Sequence, residues 1–310
     1  MRVAVAGEAL IDFTASGPLA FQGHIGGGPL NSAVAYVRLG SPTAFITQLS
    51  TDLFGEQLVA FLQRNGIDTR YIARSAAPST LAFVERTPQT NRYAFYTQGS
   101  ADGTWAPAEL PALPDSCLAL QFGSIALLQE PAAGRIADLV AAQAGKRLIV
   151  FDPNVRPSLI PDLDAYRARL KGWLAPSDLL KLSDEDAELL APGVPLAQAA
   201  AGWLAAGPKA VVVTRGGAGA TLFRAGHAEL SVAAPQIVVA DTIGAGDTFT
   251  AGLASALLDA GVARAAGLAA LSDASWAAVL RFAAMAAAIN CTREGANPPT
   301  LAEVQQALAN

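Results

Sequence analysis

The chain has 310 residues, 52% of them hydrophobic and 15% charged, which is enough apolar sequence for one large core and excludes a disordered chain. A formal net charge of -5 with no basic run excludes the positive surface that nucleic acid or an anionic membrane selects, so a small molecule is the expected partner. Cys117 and Cys291 lie far apart in sequence and form neither a disulfide framework nor a zinc-ligand pattern, which fits a reducing cytoplasm.

In chain order, VAVA (3–6) reads as a buried strand, and Glu8 and Asp12 follow it too soon for a secretory signal. AFITQL (44–49) is the next strand and Phe54 to Asn65 the next helix. From Ser79 to Thr104 the rhythm breaks. There TLAFVE (80–85) and RYAFYTQ (92–98) alternate apolar and polar residues around a turn-rich RTPQTN (86–91), predicting an antiparallel hairpin in a small β appendage. Strands LALQF (118–122), RLIVF (147–151), DLLKL (178–182) and AVVVT (210–214) then alternate with helical segments such as Pro131 to Ala144 and Pro195 to Ala206. The last third is helical, with Asp247 to Ala260, Ser275 to Ile289 and Thr300 to Ala309; Arg281 interrupts the Ala-rich stretch that would otherwise suggest a membrane span. The alternation predicts an α/β fold with a mostly parallel central sheet.

Polar clusters follow the strands at their C-terminal ends: GEALID (7–12), DPNVR (152–156), SDED (183–186) and TRGG (214–217). Ligands of open α/β sheets bind outside those ends, so the clusters predict one shared rim, although turns after strands are commonly polar in any case. DTIGAGDTFTAGLA (241–254) sets three small residues, Gly244, Ala245 and Gly246, directly before Asp247 and a helix. Unpaired N–H groups at the positive end of a helix suit an anion, and phosphate is the natural candidate. A carboxylate beside them can accept the proton of an attacking hydroxyl, while an acid in a first helical turn can equally serve the helix alone. A P-loop is excluded because GxxxxGK[ST] is absent, and no GxSxG lies near His24 or His227 to suggest a serine hydrolase.

DTIGAGDTFTAGLA resembles the C-terminal signature of the PfkB-type, ribokinase-like carbohydrate kinases, and GGGPLNSAVAYVRLG (26–40) resembles their N-terminal one; Ser50 stands where that signature often ends in glycine. The resemblance implies a three-layer sandwich over residues 1–310, its central sheet between helices, with a β lid from about 12–24 and 79–104 and ATP along the rim. It implies that Asp247 is the general base and that Gly244, Ala245, Gly246 and Asp247 supply the anion-hole amides. Asp12 and Asn31 would hold sugar hydroxyls, with Gly27 beside them and Gly26 and Gly27 hinging the lid. Thr214 and Gly216 would lie by the ATP phosphates. SDED departs from the Asn-x-x-Glu of many relatives: Ser183 takes the first place, and Asp186 or Glu185 would organise magnesium through water. Ser183 reads equally well as a helix N-cap. Asp241 and the carbonyl of Ile243 would line a potassium site.

RYAFYTQGSAD (92–102), FDPNVRP (151–157) and CTREGANPP (291–299) resemble fructokinases more than other branches of that family. Phe95 would then cover the sugar, although an apolar lid residue also suits a core or a homodimer contact. Arg156 would bind fructose hydroxyls or the carboxylate of 2-keto-3-deoxygluconate. The expectation is phosphoryl transfer from ATP to the primary hydroxyl of fructose in a homodimer joined through the lid. A 2-keto-3-deoxygluconate kinase and a non-catalytic sugar sensor are the rivals.

Overall fold

Runs rich in Val, Ile, Leu and Ala, buried on both sides, build the centre of the molecule as parallel strands that helices cover on two faces. The computed structural model describes residues 1–86 and 91–309, so positions 87–90 of the expected hairpin turn lie outside the described residues. The nine-stranded sheet comprises β1 (Val3–Ala6), β4 (Thr43–Ser50), β5 (Ile72–Ser75), β8 (Ala119–Gly123), β9 (Leu148–Asp152), β10 (Leu179–Ser183), β11 (Ala210–Thr214), β12 (Ala220–Phe223) and β13 (Leu230–Val232). Its order is β13-β12-β11-β10-β9-β8-β1-β4-β5, parallel from β11 to β5, with β12 and β13 added antiparallel at one edge.

Alternation along each strand divides the core. Val3, Val5, Val150 and Leu179 join the cluster containing helices α1 (Gly28–Arg38), α2 (Leu53–Arg64), α7 (Ala245–Asp259), α9 (Asp273–Cys291) and α10 (Leu301–Ala309). Ala4, Ala6, Ile149 and Leu180 face the opposite layer, with α3 (Ala132–Gln143), α4 (Leu163–Leu174), α5 (Asp184–Leu190) and α6 (Leu196–Ala206). A short α8 (Ala265–Ala270) completes the set. Helix α9 is long and apolar enough to cross a bilayer by length and composition, yet it packs on α7 with Trp276, Leu280, Ala283 and Ala286 fully buried, so it is a core helix.

The region expected to form the lid, and called the lid below, is a separate four-stranded sheet, β3-β2-β6-β7, from β2 (Leu10–Gly17), β3 (Ala20–Gly26), β6 (Thr80–Arg86) and β7 (Asn91–Tyr96). β2 pairs antiparallel with β3 and parallel with β6, and β6 and β7 form the expected antiparallel pair. The strand pairing ends at Tyr96; beyond it, Asp102 accepts from Ser100 and Thr80 hydroxyls and from the Gly103 N–H, tying the lid base in turns instead of a longer strand. The base is tied again by Asp52, which caps α2 through the N–H groups of Phe54 and Gly55 and also accepts from Ser79. Across the lid, Phe13 stacks on Phe83, and Phe21 and Tyr96 meet Phe83 edge-on, all on the face away from Asp12.

Candidate active site

The start of α7 is shaped by Gly244, whose left-handed φ of 74° turns the chain into the helix. A Cβ there would stand 2.7 Å from the Ala296 Cβ, so both the conformation and the packing require glycine. Ala245, Gly246 and Asp247 form the first turn at the positive end of the helix; the Ala245 N–H donates to the Thr242 carbonyl at 3.2 Å, and none of the three amides has an intrahelical partner. Asp247 is 8% exposed and accepts from Asn31 Nδ2 at 2.9 Å. Burial pushes its carboxyl up to about 6, against the bond from Asn31; the nearby charge of Asp152 raises it further, and Lys181 and Arg156 lower it.

Close approach of α1 to the Asp247 carboxylate depends on Gly28. A Cβ there would lie 2.6 Å from Asn154 Nδ2 and 3.2 Å from Asp247 Oδ1. Asn154 itself adopts a left-handed φ of 41° and accepts from Arg156 at 2.7 Å, which leaves its amide nitrogen toward Gly28. A small cavity bounded by Gly28, Gln121, Ser124, Asp152, Asn154 and Asp247 lies at this point.

On the lid side, Asp12 is half-buried, and its carboxyl is pushed up to about 6 by burial, opposed by Arg156 and by His24. Arg156 is exposed at the rim, and its charge is felt at both Asp12 and Asp247, which sets it between the smaller sheet and the start of α7. Phe95 shares a cross-strand row with His24, Asp12 and Ala82, so it stands on the same lid face as Asp12, packed on Leu10, Ala82 and Ile125. Gly27, with φ 109°, packs its backbone against Glu8 and Ala9 where the lid leaves the main sheet. Glu8 is buried there, its carboxyl pushed up to about 7 by burial while the Ser124 hydroxyl donates to it at 2.7 Å.

At the neighbouring strand ends, Ser183 and Thr214 are register partners on β10 and β11. Ser183 is the N-cap of α5: its hydroxyl accepts from the Asp186 N–H, and Asp186 Oδ2 accepts from the Ser183 N–H. Asp186 Oδ1 accepts from the Val155 N–H at 2.8 Å, so both oxygens of this buried acid are engaged by backbone. Glu185, next to it, is exposed. Gly216, with φ 48°, borders open space, which admits a ligand close to the backbone. Asp241 accepts from the N–H groups of Ile243 and Gly295, and the Ile243 carbonyl accepts from Asn290 Nδ2 at 2.8 Å. These are hard oxygen donors of the kind a potassium ion takes, each already held in place. Among the described residues no cluster of three His, Cys, Asp or Glu side chains is arranged around a metal.

Two polar residues at the site, Gln121 and Lys181, escaped the sequence reading, and a third, Asp152, entered it only as the first residue of the DPNVR cluster, without a role of its own. Gln121, Asp152 and Lys181 stand on the adjacent strands β8, β9 and β10, all on the α7 face and all nearly buried. Gln121 and Lys181 each interrupt an otherwise apolar run, LALQF and DLLKL, and that breach of a buried strand was the available signal.

The chain matches the family described as pfkB family carbohydrate kinase over residues 2–303. It belongs to the PfkB family of carbohydrate kinases. A fructokinase of Rhizobium leguminosarum bv. trifolii is 40% identical to it over 255 residues, 81% of this chain and 78% of that protein. The structure of fructokinase with bound ATP from Xylella fastidiosa matches with a TM-score of 0.88 and 28% identity, over 99% of each chain. That of a putative Ribokinase II from E. coli in complex with ATP and Mg2+ matches with a TM-score of 0.79 and 25% identity, over 99% of each chain. This PfkB kinase therefore has the ribokinase-like α/β fold and is a phosphotransferase acting on a sugar hydroxyl.

Proposed function

We propose that this kinase is a fructokinase, moving the γ-phosphoryl group of ATP to the primary hydroxyl of fructose to give fructose 6-phosphate. The observation that carries the reading is the buried Asp247, held by Asn31 at the amide-lined start of α7, on the same rim as Asp12 and Arg156. The fructokinase relatives and the ATP-bound fructokinase structure supply the substrate pair.

In this reading Asp12, Asn31 and Arg156 orient the sugar, Gly27 lets its backbone approach, and Phe95 covers it from the lid. Asp247 takes the proton as the sugar oxygen forms its bond to phosphorus and the bond to ADP breaks. The amides of Gly244, Ala245, Gly246 and Asp247 hold the charge on the transferred group. Thr214 and Gly216 border the remaining phosphates, and Ser183 supports that edge. Magnesium, when bound, neutralises phosphate charge. Glu185 would hold it through water, because the carboxylate of Asp186 is spent on the backbone. Asp241 and the Ile243 carbonyl would hold potassium beside the anion hole.

The outer lid face leaves Leu19 95% and Tyr96 64% exposed, and we assign it to a homodimer contact. The substrate pair, ATP and a free sugar, points to the cytoplasm.

The test is ADP release with ATP and magnesium across fructose, ribose, 2-keto-3-deoxygluconate, adenosine and fructose 1-phosphate. Fructose should give the highest kcat/KM, with a phosphomonoester on its primary carbon by phosphorus NMR. Preference for 2-keto-3-deoxygluconate would move Arg156 to carboxylate recognition and overturn the fructose assignment.

A further inference from the structure

Beneath the catalytic turn lies a buried ion pair that the transfer step does not use. Lys181 Nζ donates to Asp152 Oδ2 at 3.1 Å, both side chains being 6% exposed or less. The Thr250 hydroxyl of α7 lies 2.7 Å from that same oxygen and 3.0 Å from the Gly246 carbonyl, which fastens the pair to the first turn of the helix. The two ends of the pair address different parts of the turn. Asp152 Oδ1 is buried without a hydrogen-bond partner among the described residues, and Asp152 lines the cavity that Asp247 also lines. Lys181 Nζ lies 3.2 Å from where a Cβ on Gly246 would stand, directly under an anion-hole residue.

A buried charge pair is a poor way to gain stability, since an apolar pair of similar volume commonly holds a fold as well or better. Its retention here needs another reason, and the orientation supplies one. We propose that the Lys181–Asp152 pair is a buried dipole that polarises the catalytic turn, its carboxylate end favouring proton transfer to Asp247 and its ammonium end favouring phosphate charge at Gly246. Both are positioning residues that act through the turn. The inference rests on the assignment of Asp247 as base and of residues 244–247 as anion hole.

The charged groups facing Asp247 are Asp152 from β9, Lys181 from β10 and Arg156 from the loop after β9, with Asp152 exerting the largest influence of the three. Helix α1 contributes the neutral Asn31 and Ser32, and α9 the neutral Asn290 near Gly244. The lid contributes Asp12, itself offset by Arg156 and His24. Loss of the pair should therefore leave Asp247 a weaker base.

The experiment compares the wild type with the neutral double variant Asp152→Asn/Lys181→Met. Its melting temperature should stay within a few degrees of wild type, while kcat falls about 10-fold or more with sugar KM changed less than about threefold. The acid limb of the kcat profile should move down by about half a pH unit. Calorimetric titration with ATP and with ADP should show the preference for ATP reduced about threefold or more at unchanged ADP affinity, because the γ-phosphate alone reaches the anion hole. A double variant with wild-type kcat and wild-type ATP preference would make the pair mere packing and sink the proposal. The nucleotide arm needs no sugar, so it stands even where the fructose assignment fails. The single variants read the proposal independently of the double: Asp152→Asn should move the acid limb down and Lys181→Met up, and displacement in one direction by both would overturn it.

Discussion

Asn31 Nδ2 donates to Asp247 Oδ2 at 2.9 Å across 216 positions of sequence, so the first turn of α1 fixes the orientation of the carboxylate at the first turn of α7. One oxygen of the carboxylate is thereby occupied and the other, Oδ1, is left toward Gly28 and the cavity. Asp247→Asn should lower kcat by about 10²-fold to 10⁴-fold while sugar KM changes only a few-fold, as loss of a general base predicts. Steady-state ADP release measures both, and near-normal turnover would remove Asp247 from its role.

The same substitution should stabilise the fold at alkaline pH. Burial raises the Asp247 carboxyl from 3.8 to about 6, so the folded chain holds that proton more tightly than the unfolded one. Its contribution to stability is full below about 4 and is lost as pH rises through about 6, which leaves an ionised Asp247 costing about 3 kcal/mol at pH 8. Asp247→Asn should accordingly melt a few degrees higher than wild type at pH 8, with the advantage gone at pH 4. Calorimetry at the two pH values reads the difference.

Thermal stability of the wild type should peak near pH 5. Glu8, raised to about 7, and Asp12 and Asp247, each raised to about 6, all owe the shift first to burial, and all lose their contribution as pH climbs through those values. Asp68, Asp273 and Glu303 are shifted the other way, the first two by bonds from arginine and Glu303 by the Thr300 N–H, and their contributions fade in acid. Melting temperatures from pH 4 to 8 check this; a rise from pH 5 to pH 8 would contradict it.

How much of this the sequence disclosed depends on distance along the chain. The strand around VAVA, the run AVVVT and the turn before Asp247 were readable because each is decided by its own residues: β-branched or apolar runs for strands, small residues where backbone must face an anion. The lid pairing of β2 with β6 was not, because it joins Leu10 to Thr80 through long-range register. The ion pair of Asp152 and Lys181 needs the order β9-β10 and a shared face before the two residues meet. SDED was ambiguous for a different reason: one Ser-x-x-Asp spacing serves a capping box and a metal-organising acid alike, and only the bond from the Val155 N–H shows how Asp186 is spent.

That bond separates the two acids experimentally. Asp186→Asn loses one backbone-facing acceptor in a buried place and should destabilise the fold by about 1–3 kcal/mol, with the magnesium requirement little changed. Glu185→Gln, at an exposed position, should leave the melting temperature alone and raise the magnesium concentration for half-maximal rate several-fold. Magnesium titration of ADP release alongside thermal melts distinguishes them, and the opposite pattern would return the metal to Asp186.

Two glycines at the site should fail in different ways when given a methyl group. At Gly244, φ 74° strains any other residue and the added carbon would meet both Cα and Cβ of Ala296, so Gly244→Ala should cost about 1–3 kcal/mol of stability. Gly28 has no such backbone demand, and its added carbon would meet only the ends of side chains, Asn154 Nδ2, Asp247 Oδ1 and Ser124 Oγ. Side-chain ends yield cheaply in stability, but here they yield in the wrong place. Asn154 is held by Arg156 and Asp247 by Asn31, so relief of the contact must shift the Asp247 carboxylate, the proposed base, relative to the amides at the start of α7. Because a displacement of about 1 Å can cost about 10²-fold in rate, Gly28→Ala should lower kcat by about that factor with a melting temperature close to wild type. Wild-type turnover in Gly28→Ala would mean that the reacting hydroxyl does not depend on the group of atoms around this glycine.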